Sequence, residues 1–365
     1  MAVLSRNLEL ELMNNHTERN LAALTLYYCA CGVHAPARID SLVQRVMGAT
    51  ILDDGTQVER SAMYQGLSVM SLEIFAQAEA LSPRTRSTAR ALAAKATEAW
   101  AVLTHSDQDI ALFNDSWWGE TPRCSEATGV PPAPRGWLPS GGYLKFAGAD
   151  VTTLMDLGAI GPSWNPGHGH EDALSLEVDV RGRRLLVDPG TSTYDAGAQR
   201  QAERAAETHN APRFIDASTA TFTGSFRVVE IPPEPAVSHL DLAGQSVAAE
   251  LATPAGTVHR SLEVSDHGAR VVDRWDGTAP GETSILIPGT WTLTFGSGTI
   301  LCEQEDVVAE IVLEAGQVVG SQQDTWSSVF GFREAATRIR LAPDDASSPR
   351  ELAFLIRRGS EVTPM

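Results

Sequence analysis

The 365-residue sequence is short of cysteine, of basic residues and of long apolar runs, and each shortage removes a class of protein. Its four cysteines, Cys29, Cys31, Cys124 and Cys302, form no CxxC pair and no dense cluster, which excludes a disulfide framework and leaves reduced, structural thiols. The Cys-Ala-Cys step at 29–31 suits a buried helix with small residues better than a metal site. The stretch MAVLSRNLELELMNNHTERN holds no apolar core of signal-peptide length, and no uncharged run is long enough to cross a bilayer, so a cytoplasmic protein is expected. Lys and Arg number 28 against 46 Asp and Glu, a net charge of -18, which argues against coating nucleic acid or an anionic membrane. Local clusters such as Arg181, Arg183 and Arg184, or Arg200 and Arg204, still allow a positive cleft on an acidic body. Fixed-period repeats, low-complexity tails and nucleotide, flavin or pyridoxal motifs are also missing.

What is present is ordinary globular material: 43% hydrophobic and 20% charged residues, enough for a sizeable core. From about residue 17 to 105 the segments RNLAALTLYYCACG, ARIDSLVQRVMGA, ERSAMYQGLSVMSLEIFAQAEAL and TRSTARALAAKATEAWAVL carry apolar residues three and four apart, the period of helices. FNDSWWGETPRCSEATGVPPAPRGW then has neither period and reads as a long connecting loop, placing a domain boundary near residue 130. Beyond it come short alternating segments cut by Gly, Pro, Asn and Asp. Strands without intervening helices imply antiparallel sheets, expected as two packed face to face.

Two constellations carry chemistry. In GHGHEDALSLEVDV, Leu174, Leu176, Val178 and Val180 alternate with Ser175, Glu177 and Asp179, the pattern of a strand with one dry face, and two histidines precede it. The RGRR step turns the chain so that RLLVD returns antiparallel, bringing Asp188 toward His168 and His170, with His209 arriving after a further loop. Neutral imidazole and carboxylate oxygen both suit zinc, so His, Asp and His converging on a sheet edge describe a three-ligand site with one open position. Both histidines of the pair reach one metal, or one binds while the other points into a cleft. In the helical half, NNHTERN sets Asn15 and His16 at a helix mouth, and DDGTQVERSAMYQG gathers Glu59, Arg60 and Tyr64 at another. An amide, an imidazole, a phenol and a guanidinium form a set able to bind a carboxylate and move a proton.

HGHEDALSL, LLVDPGTSTY and RAAETHN in that order, preceded by LPSGGYLKF and, further upstream, by NNH and DDGTQVERSAMY, resemble the heparinase II/III-like family of polysaccharide lyases over most of the chain. The resemblance implies an α+β multidomain fold: a truncated, incomplete α/α toroid over 1–130, followed by an antiparallel β-sandwich over 131–365. It implies a carbon-oxygen lyase that degrades a uronate-containing oligosaccharide by β-elimination. By position, Asn15 and His16 would neutralise the substrate carboxylate, and Tyr64 and His168 would be the acid-base pair. Arg60, Tyr194, Arg204 and Asn210 would bind or orient substrate, and His170, Asp188 and His209 would hold one Zn2+ ion, structural or catalytic. The expected partners are an acidic oligosaccharide or small carboxylated substrate and a second copy of the chain in a homodimer, with no nucleic acid and no membrane. The alternatives on the same scaffold are a small-molecule eliminase, a zinc-dependent hydrolase and a non-catalytic carbohydrate-binding relative.

Overall fold

A computed structural model describes residues 4–344 and 350–359. Four long helices open it: α1 (Asn15–Ala30), α2 (Ala37–Thr50), α3 (Ala62–Gln77) and α4 (Pro83–Val102). Their starts are set by side chains that accept otherwise orphaned amides, Asn14 for α1, Ser61 for α3 and Ser82, followed by Pro83, for α4. Leu21, Val43, Met47, Leu72, Phe75 and Trp100 fill the space between them. Cys29 and Cys31, expected in a buried helix, are exposed: they lie at the C-terminal end of α1, past the part that packs on its neighbours. Among the described residues no helix is long and apolar enough to cross a membrane.

After a short helix α5 (Cys124–Thr128) the chain becomes almost entirely strands. Strands β1 (Gly136–Leu138), β2 (Tyr143–Ala147), β3 (Val151–Asp156), β4 (Leu176–Val180) and β5 (Arg183–Leu186) form one antiparallel sheet in that order. Helix α6 (Ala198–Arg204), strand β6 (Pro212–Phe214) and the hairpin β7 (Thr221–Thr223) and β8 (Arg227–Glu230) follow. The remaining strands are β9 (Ala236–Asp241), β10 (Ser246–Thr253), β11 (Gly256–Ser265), β12 (Gly268–Gly277), β13 (Gly281–Pro288), β14 (Thr292–Phe295), β15 (Thr299–Gln304), β16 (Val307–Ala315), β17 (Gln317–Trp326), β18 (Glu334–Ala342) and β19 (Arg350–Arg358). They build an eight-stranded sheet, β14-β15-β16-β19-β12-β11-β10-β9, and a four-stranded one, β17-β18-β13-β6.

Three larger sheets thus stand where two were expected. The reason is a junction: just past the end of β5, Val187 donates to the Leu286 carbonyl of β13 at 3.1 Å, so the five-stranded sheet meets β13 beyond the three residues that pair with β6. Phe146, Met155 and Val178 of the first, Val258, Trp275 and Phe354 of the second and Ile285 and Ile339 of the third then share one core. The chain is an incomplete α/α toroid joined to an antiparallel β-sandwich.

Strand β4 departs from the expectation of one wet face. All five of its residues are buried, because the segment after α4 packs on the polar side. There His105 sits between two carboxylates, Nδ1 at 2.9 Å from Asp179 and Nε2 at 2.9 Å from Glu177, while the Arg184 guanidinium donates to Glu177 at 2.8 Å. Alternation therefore marked two buried faces, one apolar and one ionic. Lys145, on β2, is buried beside this group with its ammonium on the Thr104 carbonyl, and burial pushes it down to about 8.

Candidate active site and metal centre

The His-Gly-His step lies in a loop before β4 and not on the strand itself. Both flanks clamp it. Asp115 donates its amide to the His168 carbonyl at 3.0 Å, and the Asn114 side chain accepts from the His170 amide at 2.8 Å. Arg204 closes the other side with two guanidinium bonds to the Gly169 carbonyl, 3.0 and 2.9 Å. Only glycine fits between the histidines, since a Cβ on Gly169 would stand 2.1 Å from the Ile160 carbonyl oxygen.

His168 turns its ring toward the helical half. Its centroid is 4.6 Å from that of Tyr64, which stands in the first turn of α3, and the Tyr64 hydroxyl meets that of Tyr194 at 3.1 Å. Burial raises both phenols above their ordinary range, so Tyr64 keeps its proton at neutral pH. Phe226, at the tip of the β7–β8 hairpin, approaches His168 at 5.5 Å and Tyr194 at 4.8 Å, and Phe330 and Trp117 continue the aromatic wall.

The other sequence-derived candidates divide. Asn15 reaches the site through Glu59: its amide and side-chain nitrogen donate to that carboxylate at 2.9–3.0 Å, and Glu59 Oε1 is 3.5 Å from His168 Nε2. His16 projects to the surface, 3.6 Å from Glu9. Arg60 adopts a left-handed backbone, φ 55°, and spends its guanidinium on the carbonyls of Ser140 and Gly141. Asn210 stitches the sandwich together, donating to Leu176 and Val187 and accepting from the Leu286 amide at 2.7 Å. Tyr64, His168 and Tyr194 therefore converge, with Asn15 one carboxylate away, while Arg60, Arg204 and Asn210 hold backbone.

Asp115 is a site residue that sequence reasoning missed. It is fully buried and accepts from His168, His170 and both terminal nitrogens of Arg200. Its signal was slight, a polar Asn-Asp-Ser run inside a loop read as a connector.

His170, Asp188 and His209 come together behind this group, each offering a ligand atom within 4.8 Å of the others. The donor set fits a metal for a reason visible in the protein itself. His170 Nδ1 and His209 Nε2 are buried with no hydrogen-bond partner, a costly state unless something else takes their lone pairs. Burial pushes the two imidazoles down to about 3 and about 4, keeping them in the neutral form that ligates. Two imidazoles and a carboxylate suit zinc.

This architecture and site define a toroid-and-sandwich protein with a heparinase-like lyase fold. The profile of the heparinase II/III-like C-terminal domain matches residues 130–355, and the chain belongs to that family. Among solved structures it is similar to a heparinase III described as the BT4657 gene product, at 15% identity over 94% of this chain and 58% of that one, TM-score 0.73. It is also similar to a further heparinase III, at 12% identity over 96% and 62%, TM-score 0.73. The heparan sulfate lyase HepC from Pedobacter heparinus matches at 13% identity over 89% and 56%, TM-score 0.68. The chain spans less than two thirds of the length of each. No curated protein matches it in sequence.

Proposed function

We propose that this protein is a carbon-oxygen lyase that cleaves a uronate-containing oligosaccharide by β-elimination. The observation carrying the reading is the Tyr64–His168 pair, rings 4.6 Å apart, at the junction of the two halves. Elimination removes the C5 proton of the uronate, forms a C4–C5 double bond and expels the O4 group, which must be protonated as its bond to C4 breaks. His168 takes the C5 proton on Nε2, since Nδ1 is committed to Asp115 at 2.8 Å. Tyr64, kept protonated by burial, delivers a proton to O4. Asn15, released from Glu59, is positioned to hydrogen-bond the substrate carboxylate and so stabilise the charge that develops beside it.

The proposal includes one zinc ion on His170, Asp188 and His209, where it would supply Lewis acidity and a cross-link between three chain segments. Full burial of all three favours the cross-link over a hydrolytic metal, which needs an open position facing substrate. A division into a helical unit over 1–130 and a sandwich unit over 131–365 belongs to the same proposal. So does a cytoplasmic location, which suits two exposed free thiols, Cys29 and Cys31.

The test is incubation of the zinc-loaded protein with a panel of short uronate oligosaccharides, following the ultraviolet absorbance of the unsaturated product. Loss of the rise in both Tyr64→Phe and His168→Ala supports the reading. A flat trace across the panel from the zinc-loaded protein would reject it in favour of a small carboxylated substrate.

A further inference from the structure

We propose that Asp115 is a positioning residue that sets the ring tautomers of His168 and His170 together, and so links metal occupancy at His170 to the reactive edge of His168. The inference rests on the reading above for the role of His168. It starts from a carboxylate with no spare capacity: Oδ2 faces His168 Nδ1 at 2.8 Å and Arg200 Nη2 at 2.7 Å. Oδ1 faces His170 Nε2 at 2.9 Å, Thr191 Oγ1 at 3.2 Å and Arg200 Nη1.

An ionised carboxylate only accepts, so each nitrogen facing it carries the hydrogen. That single condition acts oppositely on the two rings. His168 is bound through Nδ1, which leaves Nε2 as the ring edge on the cleft, 3.5 Å from a Glu59 carboxylate whose oxygens already accept from Asn15 and Gln57. His170 is bound through Nε2 and presents its Nδ1 lone pair, the buried atom that has no partner. The reverse tautomer of either ring would aim a lone pair at the carboxylate. Thr191 ties the turn after Asp188 to the same oxygen, so two metal-bearing segments bear on Asp115, one through its ligand His170 and the other through Thr191. A cation on His170 Nδ1 makes the opposite N–H a stronger donor, draws density from Asp115 and alters the bond that holds His168.

Histidine nitrogens labelled with 15N read this directly. His168 is assigned by its loss in His168→Gln, and metal-free protein is titrated with zinc chloride. His168 is expected as the Nδ1–H tautomer, with its signal moving in step with that of His170 while exposed His34 stays still. Asp115→Asn, whose amide accepts at one atom only, is expected to lower zinc affinity about 10- to 100-fold and to mix the His168 tautomers. On any substrate the wild type turns over, it lowers kcat with KM nearly unchanged. An Nε2–H tautomer at His168, or a His168 signal indifferent to zinc, would overturn the proposal. If Asp115→Asn does not fold, the wild-type titration decides alone. The magnetic resonance arms use no substrate, so a failed lyase reading and a failed linkage give different results.

Discussion

The hydroxyls of Tyr64 and Tyr194 share one hydrogen bond, 3.1 Å between oxygens, joining the first turn of α3 to the loop after β5. Removing one hydroxyl leaves the other buried without that partner. A net hydrogen bond is worth about 1 kcal/mol, so Tyr194→Phe is expected to lower the elimination rate about 5- to 10-fold. Tyr64→Phe, which removes the acid, costs about 100- to 10,000-fold. Comparing kcat of the two variants on one substrate checks the order, and equal losses would make Tyr194 a second proton carrier.

Asp179 and Glu177 bracket the His105 ring, one on each nitrogen at 2.9 Å, with all three side chains buried. Deleting one member of such a group strands charge in the interior. His105→Ala is expected to cost about 3–5 kcal/mol in urea unfolding. A loss under about 1 kcal/mol would mean that water enters and replaces the imidazole.

Lys145 yields a pH signature. Burial lowers its folded value to about 8 from the ordinary 10.5, so between these limits the unfolded chain binds more protons and stability contributed by this group rises with pH. Below pH 8 the buried charge costs its full penalty, about 3 kcal/mol. Unfolding of wild type and Lys145→Met at pH 7 and pH 10.5 should show the wild type gaining on the variant by about that amount. A pH-independent difference would place the ammonium in water.

Metal removal should register as stability. A site that binds only the folded chain adds about 4 kcal/mol at a thousandfold excess over its dissociation constant. Chelation is therefore expected to lower the melting temperature, and zinc to restore it, with His170→Ala blind to both. No shift on chelation in the wild type would remove the metal from the proposal.

The helices α1 to α4 and the antiparallel character of the second half were legible because 3.6- and 2-residue periods are local properties. The His170, Asp188 and His209 grouping was legible for a related reason: one hairpin carries Asp188 back, and His209 lies 21 residues further on. Asp115 was not, because its partners His168 and Arg200 stand 53 and 85 residues away and nothing in a loop's period announces a carboxylate's neighbours. The ionic face of β4 was hidden likewise: Glu177 and Asp179 look solvated until a segment about seventy residues earlier supplies His105.

That distribution of partners bears on modularity. Tyr64, Glu59, Asp115 and His105 come from before residue 130, and His168, Arg200, Glu177 and Asp179 from after it. Recombination that exchanged one half for that of a distant relative would bring together surfaces each carrying interior charges matched to an absent partner. A library of chimeras should therefore yield folded proteins where the crossover falls before His105, so that His105 and Asp115 travel with their own sandwich, and few where it falls near residue 130.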